Sequence, residues 1–406
     1  MVSVVRERTI DVHNYERRLV RAVRFLNNHS KVSSENKRKI LEFLEYIKAE
    51  GLSLARQVSY TQWLTTIALL LRKNFEDTDR SDVERLLVKV NSRDWSDSTK
   101  ENHREAVKRF WRWLRGLKDG KDPEETDWFK VGKHKPREIL PEELLSREEA
   151  KRLIEVAEHP RDRAYVAVSD ESGARPSEVL SLRIGYVAFD QHGAVAVAKG
   201  KMGERRIRLI KSAPLLAAWL ENHPGRTDPD EPVWVNIGST RHGGIFDYDA
   251  ARKLLRELGK KAGLKKRMYP YLFRHSTATY LANYLTEAQM CTYFGWRQGS
   301  RMPSFYVHMS GRDIDGRMLE LHGLKTEKRE QLEDTVRICD RCHAKNSPAA
   351  DFCMKCGLAL DLKAALEVDT RVARAEELLE ILLTKSEVKS YLAEKIRELG
   401  LTRDSN

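Results

Sequence analysis

The sequence predicts a mainly α-helical protein with a small antiparallel sheet in its middle third, and three observations carry that prediction. Apolar residues recur at i, i+3, i+4 and i+7 through the first third of the chain and again after residue 249, the signature of amphipathic helices. The period changes around 187–210, where GAVAVAKGKMGERRIRLI reads as two short strands joined by a Gly-containing turn. Between the two helical runs, residues 118–141 are dense in Gly, Pro and charge, which reads as a linker.

The elements follow in order. A helix beginning near Tyr15 carries Leu19, Val23 and Leu26 on one face. Ser33 or Ser34 caps a second, with Ile40, Leu41, Leu44 and Ile47 buried, and Gly51 ends it. A third covers 61–71 and a fourth 83–90. In the fifth, Ser98 and Glu101 form the expected capping box, and Val107, Phe110, Trp111 and Leu114 make the apolar stripe. Lys108, Arg109, Arg112 and Arg115 fill the other positions. Singly each reads as part of a solvated face; as a group they suit a helix lying along a polyanion. A second capping box, Ser146 with Glu149, opens the next helical run, and Leu254, Leu255 and Leu258 mark a later helix. A Cys-rich module spans 336–360. Leu378, Leu382, Leu392, Ile396 and Leu399 then mark an amphipathic C-terminal helix or helix pair. The expected organisation is a helical unit over 1–118, a linker over 119–143, a helical unit with a small sheet over 144–325, the Cys module over 336–360 and a helical tail over 361–406.

The chain has 406 residues, with 73 Lys plus Arg against 61 Asp plus Glu, a formal net charge of +12. That balance attracts polyanions, nucleic acid foremost, because cations gain affinity by releasing condensed counterions. Charge alone fits a basic protein without such a role equally well. The N-terminus is charged within its first two turns and lacks a signal-peptide apolar stretch. No apolar run reaches membrane-spanning length, so a cytoplasmic protein without a membrane partner is expected. Five Cys are too few for a disulfide framework on a chain this long. Cys339 and Cys342 form one C-x2-C and Cys353 with Cys356 another, ten residues apart. Four thiolates at that spacing suit tetrahedral Zn²⁺ in a closed, structural site, with a redox pair as the alternative. Cys291 reads as a core residue.

Three clusters stand out between 173 and 313. GARPSEVLSL places Arg175 two positions after a Gly and Glu178 about one turn later. AKGKMGERRIRL places Lys199 at a strand end or hairpin turn, with Lys201 as an alternative. YPYLFRHSTATYL and YFGWRQGSRMPSFYVHMSGRD hold Tyr271, Arg274, His275, Trp296, Tyr306 and His308. Each cluster alone is commonplace; the ordered set is specific. It resembles the tyrosine recombinase/integrase family, which includes the phage integrases, the Xer proteins and Cre. The family pattern is an Arg in G-x-R-x-x-E, a hairpin Lys, an H-x-x-R-H block, a G-H or G-W pair and a late Tyr. The matches are Arg175 with Glu178, Lys199, Arg274 with His275, Gly295 with Trp296, and Tyr306, in the family's order over about 144–324. The departure is Tyr271, which stands where the block begins with His.

The resemblance implies a two-domain DNA clamp, with the N-terminal helical part as a core-binding domain and 144–325 as the catalytic domain. It implies a recombinase that cleaves and rejoins DNA through a 3′-phosphotyrosine on Tyr306, without ATP or a catalytic metal. Arg175 and Arg274 would fork the phosphate oxygens, where a planar guanidinium outperforms an ammonium. Lys199 would protonate the leaving oxygen and His275 would serve as base or hydrogen-bond partner. Trp296 would pack on the nucleophile segment and Glu178 would orient Arg175. Nearby cations would favour the phenolate of Tyr306. The implied partners are double-stranded DNA with specific sites and three further copies of the chain, the tail being a candidate for exchange between protomers. A catalytically lapsed DNA-binding accessory protein and a type IB topoisomerase are the alternatives.

Overall fold

The computed structural model describes residues 10–118, 120–132, 139–200, 203–238, 242–309, 322–323, 337–339, 341–342, 344–346, 350–360, 374, 381–382 and 384–398. The chain divides into two compact units, Met1–Leu140 and Pro141–Asn406.

Unit 1 is built from α1 (Tyr15–Asn28), α2 (Ser34–Ala49), α3 (Leu54–Leu71), α4 (Arg80–Asn91) and α5 (Asp97–Leu114). The third helix starts seven residues before the expected one. It is the central element, packed against all four others, so it buries residues around much of its circumference, among them Val58, Tyr60, Leu64 and Ile67. Such a helix lacks a clean apolar stripe. The fifth helix also starts early. Ser96, not Ser98, is its cap, its Oγ accepting from the Thr99 N–H, and Glu101 instead holds Arg104. Phe43, Phe75, Phe110 and Trp111 form the fully buried aromatic centre, and the Trp111 indole donates to Thr78 Oγ1 at 3.0 Å.

The basic face of α5 is engaged in ion pairs within unit 1. Lys108 and Arg112 share Asp122, Arg109 pairs with Glu50 and Arg115 with Glu125. The pairs to Asp122 and Glu125 tie residues 120–132 onto the helices of unit 1, where Phe129 joins the core. On α1, by contrast, Arg17, Arg18, Arg21 and Arg24 are exposed and form no ion pair among the described residues.

Unit 2 centres on α7 (Pro160–Ser172), which touches α6 (Arg147–Glu155), α8 (Pro176–Leu180), α9 (Ala213–Glu221) and α11 (Pro270–Leu281). The capping box of Ser146 and Glu149 opens α6 as expected, both bonds being made. The sheet has three antiparallel strands, β1 (Val187–Asp190), β2 (Gly193–Gly200) and β3 (Gly203–Leu209), in sequence order. The sequence pattern predicts two; β1 is four residues long and largely exposed, too short for its alternation to register. Register pairs Ala198 with Arg205 and Lys199 with Glu204. α10 (Tyr248–Lys261), α12 (Glu287–Phe294) and α13 (Met302–Met309) complete the helical part. The Cys module contains β4 (Arg337–Ile338) paired with β5 (Lys345–Asn346), and a helix, α14, covers Ser386–Glu398. Leu378 and Leu399 lie outside the described residues. Among the described residues no helix is long and apolar enough to cross a membrane.

Candidate active site

The site begins where α7 stops. Gly173 adopts φ 50°, and a Cβ there would lie 2.9 Å from Phe294 Cε1 and from Thr277 Cβ, so no larger residue fits. The turn delivers Arg175 to the N-terminus of α8, with Pro176 at the first helical position. Glu178 follows one turn on and is 2 % exposed. Its carboxylate accepts the Arg175 backbone N–H at 2.9 Å and Arg175 Nη1 at 2.8 Å. Burial pushes the Glu178 carboxyl upward, but Arg205 and then Arg175 outweigh it and hold it below the usual range.

Arg205, on β3, is a residue that the sequence reading passes over. Its Nη2 donates to Glu178 Oε2 at 2.8 Å and its Nη1 to the Tyr293 carbonyl at 2.6 Å. A signal existed. Arg205 shares its face of the strand with Ile207 and Leu209, both buried, and a cation in an inward-facing row demands a partner.

Arg274, on α11, is 3 % exposed. Its guanidinium donates to the carbonyls of Gly173 at 3.1 Å and Phe294 at 3.0 Å. These are the C-terminal ends of α7 and α12, where helix dipoles favour positive charge. Burial, then the neighbouring Arg175, pull its pKa down to about 10, which leaves it charged at neutral pH. The two carbonyl bonds use two of its five N–H donors, leaving others for an incoming anion. Arg175 donates its Nη2 to the Gly295 carbonyl at 3.3 Å.

Tyr306, on α13, is 1 % exposed and packs with Ala278, Ala282, Met290 and Phe294. Trp296 stacks on its ring at 5.3 Å and 4°. The Tyr306 Oη lies 3.0 Å from His275 Nδ1. Burial, then Arg274, pull the His275 pKa down to about 4, so the imidazole is neutral at pH 7. Burial pushes Tyr306 up to about 12, with Arg274 and more weakly Arg175 drawing it back. The cations favour the phenolate as expected, but in the DNA-free protein burial outweighs them. Desolvation wins, and the hydroxyl needs a base.

The structure thus gathers Arg175, Glu178, Arg274, His275, Trp296 and Tyr306 into one place. Tyr271 sits on α11 one turn before His275, 39 % exposed, with ring centroids 6.2 Å apart. Lys199 occupies β2 opposite Glu204. The side chains of Lys199 and His308, and all of Lys201, lie outside the described residues.

A second centre lies in the Cys module. The sulfurs of Cys339, Cys342, Cys353 and Cys356 all fall within 4.8 Å of one another. The Cys339–Cys356 and Cys342–Cys353 separations are 3.6 and 3.5 Å. Tetrahedral zinc with Zn–S near 2.3 Å sets an S···S edge of about 3.8 Å, so the donor set fits that ion. Turns closed by Cys339 N–H to the Ala344 carbonyl and Cys353 N–H to the Leu358 carbonyl shape the two halves. Cys291 lies apart, buried on α12.

A fold of this kind, with paired arginines and a phenol beside a neutral imidazole, defines a class, and comparison with known proteins agrees. Residues 143–312 match the Phage integrase family. Tyrosine recombinase XerD of Lacticaseibacillus casei is 25% identical over 292 residues, covering 68% of this chain and 95% of that protein. Tyrosine recombinase XerC of Vibrio vulnificus strain YJ016 is 27% identical over 254 residues, 59% and 77% of the two chains. Among solved structures, XerH site-specific recombinase bound to a palindromic difH substrate superposes with TM-score 0.52 at 19% identity, over 76% of this chain and 96% of that one. A lambda integrase tetramer bound to a Holliday junction superposes with TM-score 0.52 at 15% identity, over 68% and 79%. Over residues 143–312 the chain carries a domain of the tyrosine recombinase, or phage integrase, family. It is a site-specific recombinase, an enzyme that breaks and rejoins DNA.

Proposed function

We propose that Tyr306 is the nucleophile and His275 its base, and the observation that carries this reading is the 3.0 Å approach of the Tyr306 hydroxyl to a neutral imidazole beside Arg274. The Tyr306 oxygen attacks the scissile phosphorus; the Oη–P bond forms as the P–O5′ bond breaks. The phenolic proton passes to His275 Nδ1, and the departing 5′ oxygen takes its proton from the Lys199 ammonium. Arg175 and Arg274 spread their free N–H donors over the non-bridging oxygens, gaining as charge builds there. Trp296 fixes the plane of the nucleophile's ring, Glu178 orients Arg175, and Tyr271 supplies a hydroxyl at the exposed edge. Rejoining is the reverse sequence, with the 5′ hydroxyl as attacker, so the phosphotyrosine conserves the bond without ATP. A nicked suicide duplex should trap wild-type protein on a 3′ end, and Tyr306→Phe should trap none. Trapping by the Phe variant at the wild-type level would overturn the assignment.

The partner in this reading is double-stranded DNA carrying paired recombination sites, with four copies of the chain assembled on it and 361–406 exchanged between protomers. The domains are unit 1 as the core-binding clamp, with the α1 arginines on the DNA backbone, and 144–325 as the catalytic domain. Cys339, Cys342, Cys353 and Cys356 hold one Zn²⁺, which supplies folding energy to a module too small for its own core. Chelation should release about one zinc per chain and abolish amide protection in 337–360, while cleavage of a suicide duplex continues. Loss of cleavage with the catalytic domain still folded would contradict a structural role.

A further inference from the structure

Three successive carbonyls at the end of α12 each hold a different arginine. Tyr293 accepts from Arg205 at 2.6 Å, Phe294 from Arg274 at 3.0 Å and Gly295 from Arg175 at 3.3 Å. Two of these guanidiniums have roles in the reaction described above; the third has none. We propose that Arg205 is a positioning residue for strand cleavage, acting through Glu178 on Arg175 and anchoring the β2–β3 hairpin to the end of α12.

The cost of its placement argues for this. A guanidinium in the inward row of β3, its side chain 13 % exposed, gives up hydration that a partner must replace. The replacement is a shared carboxylate. Glu178 Oε2 accepts both Arg205 Nη2 at 2.8 Å and the Arg175 backbone N–H at 2.9 Å, while Oε1 takes Arg175 Nη1 at 2.8 Å. Arg205 thus keeps Glu178 charged and in place without engaging Arg175 itself. Remove it, and the buried carboxylate leans on Arg175 alone, the guanidinium that must also turn toward substrate. The fit is close on a third side, since a Cβ on Gly295 would approach Arg205 Cδ at 3.1 Å. Arg205 also pairs across the sheet with Ala198, next to Lys199 opposite Glu204. The bond from Arg205 to Tyr293 therefore fixes the strand one register step from the hairpin lysine.

The inference rests on Arg175 being a phosphate ligand, and the experiment separates the two. Single-turnover formation of the covalent complex on a nicked duplex is measured for R205Q, R205K, R175A and R175A/R205Q, alongside DNA affinity by gel shift. R205Q should cleave on the order of 10–100-fold more slowly at near wild-type affinity. R205K should recover part of the rate, because an ammonium reaches Glu178 but not both acceptors at once. In the R175A background R205Q should slow cleavage by less than in the wild-type background, since the part of its effect that runs through Glu178 and Arg175 is already lost. R205Q at the wild-type rate while R175A is slow overturns the role of Arg205 alone. Equal slowing in both backgrounds overturns the route through Arg175. R175A at the wild-type rate sinks the phosphate reading of Arg175 and this inference with it. Should R205Q fail to fold, R205K carries the same criteria: slowed cleavage at unchanged affinity, non-additive with R175A.

Discussion

The chemistry of the site turns on one balance, burial against charge. At Tyr306 burial outweighs two nearby guanidiniums and keeps the phenol protonated, up to about 12. At His275 burial and Arg274 act in the same direction and strip the proton down to a pKa of about 4. A base whose pKa is lowered is neutral, and competent, above that value and lost as pH falls through it. Formation of the covalent complex should therefore show no inflection near the ordinary histidine value of about 6.5 and should fail only near pH 4. An acid limb centred near the ordinary histidine value would contradict the assignment. His275→Gln keeps a hydrogen-bonding group and loses the base, so cleavage should drop by roughly 10²–10⁴-fold while DNA affinity holds.

At the scale of elements, helix ends do the positioning. The C-termini of α7 and α12 meet at Arg274, and the first of them depends on Gly173. Gly173→Ala combines a left-handed backbone with overpacking and should destabilise unit 2 by about 2–4 kcal/mol in urea titration. Cleavage should fall by more than the loss of folded protein explains, because Arg274 loses an acceptor. This scale also shows what a sequence can disclose. Outer helices such as α2, α5 and α10 carry stripes and caps and are legible to within a turn. The central helices are not: α3 buries several sides, so its first two turns go unseen. Arg175, Glu178, Arg274, His275, Trp296 and Tyr306 are legible because their order and spacing are specific. Arg205 is not, since its meaning lies in a strand's inward row and a carboxylate 27 positions away. The carbonyl acceptors have no side-chain signal at all. The ion pairs of the α5 cations are unseen for the same reason, as their partners Asp122, Glu50 and Glu125 come from elsewhere in the fold.

For the whole molecule, the question is where a net charge of +12 resides. Many of the cations are cancelled internally. On unit 1, four exposed cations without an ion pair among the described residues line one helix, α1, at Arg17, Arg18, Arg21 and Arg24. If these face DNA phosphates, replacing Arg17 and Arg21 by Gln should weaken binding uniformly across sequences. The slope of log affinity against log salt should flatten by about 0.9 for each phosphate no longer neutralised. The matching double substitution at Lys108 and Arg112, already paired with Asp122, should leave the slope nearly unchanged and lower stability instead. A slope untouched by the α1 changes would place the DNA elsewhere.

The row of acceptors at 293–295 cannot be edited by changing side chains, because main-chain oxygens hold the cations. It can be edited by phase. Deleting one residue within 287–292 would rotate everything after it by about 100° and swing all three oxygens off target together. Every family motif would survive such a deletion intact, so a homologue carrying it would pass inspection letter by letter and still be unable to cut.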